Sequence, residues 1–76
     1  MRTVRIIIMP KDGLLDPQGR AVEEMLKDNG FSVKNVRVGK VVEMEVPEEA
    51  NVKLIVEKYI INPLIEDYEI EELQGK

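Results

Sequence analysis

Apolar and polar residues alternate at the beginning of the chain, which is the pattern of a β-strand. Val4, Ile6 and Ile8 fall on one face of residues 2–9, and polar side chains precede Ile7 on the other face. The second half of this strand is apolar on both faces, so the pattern leaves open which face a helix covers and which meets a second subunit. Pro10 has no backbone N–H to donate, and we expect the strand to end there.

A first helix is predicted for residues 17–29 from its capping residues. Asp16 supplies an N-cap carboxylate, Pro17 suits the first helical position, and Gly30 allows the left-handed conformation that ends many helices. Four apolar residues at helical spacing form a stripe that we expect to pack on the sheet: Ala21, Val22, Met25 and Leu26.

Residues 31–46 are strand-like throughout, with one interruption at Gly39-Lys40. Two structures are open: one long strand that bends at a glycine bulge, or two short strands joined by a tight turn. Val36, Val38 and Val42 keep the same parity across the interruption, which favours the bent strand.

A second helix is predicted to open at Pro47-Glu48-Glu49, where acidic residues lie near its positive end, and to close at Asn62-Pro63. Its inner face is predicted from residues at i, i+3, i+4 and i+7, which are Val52, Ile55, Val56 and Tyr59. Residues 64–73 alternate Tyr68 and Ile70 with glutamates and form the last predicted strand, whereas residues 74–76 are expected to be frayed.

The resulting element order is β-α-β(β)-α-β, which indicates the α+β class. We expect residues 1–76 to form one domain, because independent domains run from roughly 50 to 250 residues. The expected architecture is an antiparallel or mixed sheet with two helices on one face, related to the ferredoxin-like fold.

A domain this small is expected to need support from another subunit. Below about 70–80 residues a single core seldom supplies more than ~3–5 kcal/mol, and this chain has no cysteine or histidine for disulfide or zinc support. Oligomerisation remains as the support. The same two absences remove thiol nucleophiles and the commonest general acid and base near neutral pH, so no catalytic residue is predicted.

Charge is distributed unevenly along the chain. Residues 1–42 carry eight basic and five acidic side chains, whereas residues 43–76 carry three basic and ten acidic ones. A net charge of −4 and only three aromatic residues argue against nucleic-acid binding, which needs a basic stripe and stacking platforms. The apolar run near the N-terminus is too short for a signal peptide or a membrane span, and we expect a cytoplasmic protein without a membrane partner.

Acidic residues recur at every second position of the predicted strands, at Glu43 and Glu45 and again at Asp67, Glu69 and Glu71. This spacing places each group on one sheet face, which is typical of a solvated or partner-facing surface. The spacing of a calcium loop is absent, so no metal site is predicted. Lys11-Asp12-Gly13 and Gly39-Lys40 also lack the pattern of a phosphate-binding loop, and no cofactor site is predicted.

Asp16-Pro17-Gln18-Gly19 is more specific than helix capping requires. Gly19 in the first turn costs about 1 kcal/mol relative to alanine. The close approach of another backbone would explain the missing side chain, and the sequence leaves open whether that backbone belongs to this chain or to another subunit.

Three strings of the sequence resemble PurS proteins in the same order and at the same spacing. They are Leu15-Asp16-Pro17-Gln18-Gly19, Val36-Arg37-Val38-Gly39-Lys40 and Asn62-Pro63-Leu64-Ile65-Glu66-Asp67-Tyr68-Glu69-Ile70. The resemblance covers nearly the whole chain. It departs from the family at Leu64, where valine is frequent, and in the second helix, where Tyr59 is larger than the usual residue and a cysteine of some members is missing.

The resemblance implies a small non-catalytic subunit of phosphoribosylformylglycinamidine synthase. In that complex PurS bridges an ATP-dependent synthase, PurL, and a glutaminase, PurQ, which convert formylglycinamide ribonucleotide to formylglycinamidine ribonucleotide in purine synthesis. ATP, magnesium and glutamine are then expected on the partner subunits, with no cofactor on this chain. The resemblance also implies self-association as a dimer or a tetramer.

Nine residues in these strings are candidates for partner surfaces or for the turns beneath them: Asp16, Pro17, Gln18, Gly19, Arg37, Gly39, Lys40, Asn62 and Pro63. Arg37 and Lys40 are the best candidates for salt-sensitive contacts, with plain solvation as the alternative. A second function is also open, because regulatory modules of the ACT type share this element order and bind amino acids near glycine-containing turns.

Overall fold

The computed structural model describes residues 1–73 and confirms the α+β class. Its elements are β1 (Arg2–Pro10), α1 (Pro17–Asp28), β2 (Lys40–Val46), α2 (Val52–Ile55), which continues as a wider turn over Val56–Ile60, and β3 (Glu66–Leu73). β1 lies between β2 and β3 in an antiparallel sheet. The predicted fraying of residues 74–76 falls outside the described residues.

Among residues 1–73, no helix is long and apolar enough to cross a membrane.

The burial of the β1 side chains shows which face of this strand a helix covers, a question that the sequence left open. Val4 and Ile6 are completely buried and Ile8 is 1% exposed, so these residues point towards the core. The second helix covers this face, and its side chains join the strand residues in one apolar cluster. The buried residues of the cluster are Val4, Ile6, Ile8, Val46, Val52, Val56 and Ile61.

Residues 31–39 form no strand in the structure, so both sequence-based interpretations of residues 31–46 were wrong. β2 begins at Lys40, which pairs with Ile8, and the ladder on this side of β1 extends no further. Gly39 crosses the end of β1 so closely that a Cβ atom there would collide with the carbonyl oxygen of Ile8. The glycine therefore marks the start of a strand, where the backbone of the incoming segment passes over β1.

The second helix begins later than the sequence predicted. Residues 47–50 form a separate turn, in which the backbone N–H of Ala50 donates to the carbonyl oxygen of Pro47 at 3.0 Å. The N-cap is Asn51, whose side-chain oxygen accepts a hydrogen bond from the backbone N–H of Leu54 at 3.1 Å. Placing the start at Pro47 was wrong because a second capping residue lies four positions further along the chain.

The predicted inner face of this helix is correct at Val52 and Val56 but wrong at Tyr59, which is 78% exposed. The last turn is wider than an α-helical turn, since the N–H of Ile61 donates to the carbonyl oxygen of Val56, five residues earlier, at 3.0 Å. This widening rotates the following positions, so that Ile60 and Ile61 contact the core instead of Tyr59.

α1 has the predicted bounds within one residue, but its apolar stripe does not pack on the sheet of the same chain. Met25 is 54% exposed, and Gly19 is the only buried residue in α1. The radius of gyration is 15.7 Å, whereas a compact domain of this length has about 11 Å. The expectation that the stripe packs on the sheet was therefore wrong, because α1 lies away from the core.

We predict that Val56→Ala lowers the free energy of unfolding by about 2 kcal/mol, since it removes two buried carbon atoms and leaves a cavity. Tyr59→Ala, three positions along the same helix, is the matched control and should change it by less than about 0.5 kcal/mol because Tyr59 is exposed. Urea denaturation followed by circular dichroism measures both. Equal losses of unfolding free energy in the two variants would contradict the wide last turn, which leaves Val56 buried and Tyr59 exposed.

Candidate partner-binding site

Five of the nine predicted site residues line one open cleft of about 490 Å³. The cleft lies where the N-terminal end of α1 approaches the start of β2. Its members from the predicted set are Asp16, Pro17, Gln18, Gly39 and Lys40. The structure therefore brings the first two strings of the sequence together at one end of the molecule.

Asp16 joins the two strings through both of its carboxylate oxygens. Oδ1 accepts a hydrogen bond from the backbone N–H of Gly19 at 3.0 Å, and Oδ2 accepts one from the backbone N–H of Val38, also at 3.0 Å. These two bonds, with Gly19 first, lower the pKa of the Asp16 carboxyl below its ordinary value. The N-cap of α1 thus also positions the segment that leads into β2.

Gly19 is required by the close approach of that same segment. A Cβ atom on Gly19 would collide with the carbonyl oxygen of Val36 and come within 3.0 Å of the Cα atom of Arg37. The sequence left open whether the approaching backbone belongs to this chain or to another subunit. The structure assigns it to residues 36–37 of the same chain.

Arg37 and Lys40 both contact oppositely charged groups within the chain. The guanidinium of Arg37 donates to the carbonyl oxygen of Pro10 and lies 3.3 Å from the carboxylate of Asp12. The ammonium of Lys40 lies 3.7 Å from the carboxylate of Glu66 and its side chain is 61% exposed. Arg37 therefore stabilises the fold beside the cleft, whereas Lys40 remains accessible to a partner at its rim.

Asn62 and Pro63 belong to the turn that precedes β3, and they do not line the cleft, which that segment reaches only at Ile65 and Glu66. The side-chain oxygen of Asn62 accepts from the backbone N–H of Leu64 at 3.1 Å, and its backbone N–H donates to the carboxylate of Glu66 at 2.8 Å. The carbonyl oxygen of Ile65 in this turn accepts from the backbone N–H of Lys11 at 2.9 Å. The turn is therefore fixed to the loop that follows β1.

Exposed apolar residues around the cleft were missed by the sequence reasoning. We call them the end patch, which consists of Leu14, Leu15 and Ile65, which line the cleft, and Leu64, which directly precedes Ile65 in the chain. Leu15 is 77% exposed and Leu64 is 82% exposed, while Leu14 and Ile65 are about half exposed. The available signal was two pairs of adjacent apolar residues, although the sequence placed Leu64 and Ile65 in the last strand, which begins only at Glu66. A cluster of exposed apolar residues of this kind is typical of a protein-binding surface.

The sheet face opposite the core is strongly acidic, as the alternation of carboxylates predicted. We call it the open face. Arg5 lies directly between Glu43 of β2 and Glu71 of β3, and Ile7 lies between Val41 and Glu69. Its carboxylates are Glu43, Glu45, Asp67, Glu69 and Glu71. Within residues 1–73 no group of three or more potential ligands is arranged to hold a metal ion.

Comparisons with known proteins agree on one family. The family model described as PurS, phosphoribosylformylglycinamidine (FGAM) synthase, matches residues 3–74. The PurS subunit of Methanocaldococcus jannaschii is 40% identical over 77 residues, covering 92% of this chain and 93% of that protein. The crystal structure of Bacillus subtilis PurS superposes with a TM-score of 0.86 at 34% identity, covering 97% of this chain and 100% of that chain.

A fourth comparison concerns an assembly. A chain in the structure of PurLQS from Thermotoga maritima superposes with a TM-score of 0.81 at 32% identity, covering 95% of this chain and 96% of that chain. The chain described here is thus similar, over almost its whole length, both to isolated PurS subunits and to a subunit solved within a PurLQS complex.

We predict that the stability of the wild-type chain depends more steeply on acid pH than that of Asp16→Asn, which lacks the carboxylate and is less stable at neutral pH. A carboxyl whose folded pKa is lowered stabilises the fold above its unfolded pKa, and this contribution is lost as the pH falls through the folded pKa. The free energy of unfolding should therefore fall below about pH 4 in the wild type, and the fall should be smaller in Asp16→Asn. Asp28→Asn, an exposed carboxylate at the other end of α1, is the control and should follow the wild type. Parallel pH profiles for all three proteins would contradict the role of Asp16.

We predict that Gly19→Ala destabilises the chain although alanine favours helix by about 1 kcal/mol. The added methyl group collides with the backbone at Val36, so the segment must move away from α1. Thermal denaturation should show a lower melting temperature for Gly19→Ala, whereas Arg20→Ala at the exposed neighbouring position changes it little. A raised melting temperature for Gly19→Ala would contradict the close approach.

Proposed function

The chain belongs to the PurS family, the small subunit of phosphoribosylformylglycinamidine synthase, and we propose that it bridges the PurL-type synthase and the PurQ-type glutaminase of that complex. In this role it does no chemistry alone. The assembled enzyme converts formylglycinamide ribonucleotide to formylglycinamidine ribonucleotide in purine synthesis, and we place it in the cytoplasm.

The residue content of the chain supports a non-catalytic role. With no cysteine it has no thiol to act as a glutaminase nucleophile, and with no histidine it lacks the commonest general base. ATP, magnesium and glutamine would accordingly bind to the partner subunits. The family match also favours the subunit role over the alternative of an ACT-type module that binds amino acids.

The observation that carries the proposal is the amount of surface that the single chain leaves exposed. A compact monomer of 8.7 kDa exposes about 4700 Å², whereas this chain exposes 5839 Å². Apolar residues contribute to this exposed surface, since Met25 of α1 is 54% exposed and Leu15 and Leu64 of the end patch are 77% and 82% exposed. Surface of this kind is stabilised by contact with other subunits, including further copies of the chain as a dimer or tetramer.

We assign the end patch and its cleft to one of the partner contacts. Exposed leucines at the centre of an interface contribute by burial, and Lys40 and Gln18 at the rim supply polar groups for orientation. Asp16, Gly19 and Arg37 support this surface from beneath, because their contacts fix the loops that carry it.

We predict that Leu15→Glu and Leu64→Glu each weaken capture of the synthase or the glutaminase by at least about tenfold, because each places a charge in the buried centre of an interface. Leu54→Glu, at a leucine that is 51% exposed on α2, is the matched control. Tagged chains are incubated with both purified subunits, magnesium ADP and glutamine, and the retained proteins are quantified.

Capture by the wild type and the control, with loss in both end-patch variants, supports the proposal. Capture of neither subunit by the wild-type chain would overturn the bridging role. A thermal shift of the isolated chain with free amino acids would then be the result that favours the ACT-type alternative.

A further inference from the structure

The open face is an uncovered sheet surface with excess negative charge. Strands β1, β2 and β3 contribute five carboxylates to it and a single guanidinium, that of Arg5. Arg5 lies 2.7 Å from the carboxylate of Glu43 and 3.5 Å from that of Glu71, so one cation is shared by two anions. Lys11, beyond the end of β1, lies 2.7 Å from the carboxylate of Asp67.

Two carboxylates of the open face have no ion-pair partner within residues 1–73, namely Glu45 and Glu69. Glu45 lies beside Thr3 on the β2 side, and Glu69 lies beside Ile7 on the β3 side. Both are exposed. The unpaired charges therefore occupy both outer strands of the face, on either side of its central strand.

The same face also has a depression whose lining is partly apolar and includes two of the five carboxylates of the face. It has a volume of about 290 Å³, with Ile7 and Met9 among the residues that form it and Asp67 and Glu69 at its acidic edge. Arg37 also lines it, but that guanidinium is already engaged by Asp12 and Pro10. The volume lies just below the roughly 300–1,000 Å³ of small-molecule pockets and suits a single inserted side chain.

We infer that the open face docks against a lysine- and arginine-bearing surface of a partner subunit, with one cationic side chain inserted over Ile7 and Met9. Lysine and arginine fit because their aliphatic stems pack on apolar groups while the charged ends reach carboxylates. This inference rests on the proposed function, since the partner is a subunit of the same assembly. It adds a second surface to the end patch, with a different chemistry.

The negative charge of the open face disfavours a second copy of the chain as the partner that docks on it. Two copies packed face to face through this surface would oppose five carboxylates with five others, and like charges held together weaken an interface. A basic surface on a different subunit has the complementary sign. Because charges of this kind steer encounter, they should act mainly on the association rate and on its dependence on salt.

The test uses the double variant Glu45→Lys/Glu69→Lys, which reverses two charges without breaking an ion pair of the described chain. Glu49→Lys, in the turn before α2, is a control of the same chemistry outside the sheet. Association with the purified synthase and with the purified glutaminase is measured separately by surface kinetics between about 0.05 and 0.5 M sodium chloride, a range over which salt screens exposed charges.

We expect the double variant to associate with one of the two subunits about tenfold more slowly than the wild type at low salt, and to lose most of the salt dependence. The control should match the wild type. Wild-type rates for the double variant, with both subunits binding, would overturn this inference and leave the bridging role standing. Binding of neither subunit by the wild type would overturn both. A change confined to self-association in sedimentation experiments would place the face between copies and also overturn the inference.

Discussion

The fold depends on the central position of β1, which is the only strand within residues 1–73 that pairs on both of its edges. Its backbone joins β2 and β3, while Val4, Ile6 and Ile8 supply the buried centre of the core. Removing this strand would leave no sheet for α2 to cover. A core this small stabilises one layer of helix on one sheet face, and it leaves the remaining apolar residues of the chain without a place inside.

The part of the chain between β1 and β2 is therefore held by polar contacts more than by apolar burial. Asp16 and Glu23 of the α1 region accept hydrogen bonds from the backbone N–H groups of Val38 and Val36, and Gly19 lets the two backbones approach. Hydrogen bonds of this kind fix geometry at modest net free energy. The apolar stripe of α1 has no cover within this chain, which explains why Met25 is exposed in an ordered helix.

Local signals predicted the elements well and failed where the backbone departs from regular geometry. Alternation identified β1 and β3, and Asp16, Pro17 and Gly30 located α1, because each of these signals is a short-range preference. The wide last turn of the second helix could not be read from the sequence, since the residues that face the core are set by packing over β1. The length of β2 was also set non-locally, by the point at which β1 ceases to pair with it.

The candidate site, like the fold, could be predicted only in part from the sequence. The sequence strings contained the residues that shape the cleft, but their role in holding one another depends on a contact between α1 and residues 36–38 that no local pattern reveals. A bridging subunit needs two surfaces, and two standard interfaces of about 800 Å² each would cover more than a quarter of the 5839 Å² that this chain exposes. On so small a domain the surfaces must differ in chemistry for each to select its own partner. An apolar end patch and an acidic open face satisfy that requirement, because a partner complementary to one gains little from the other.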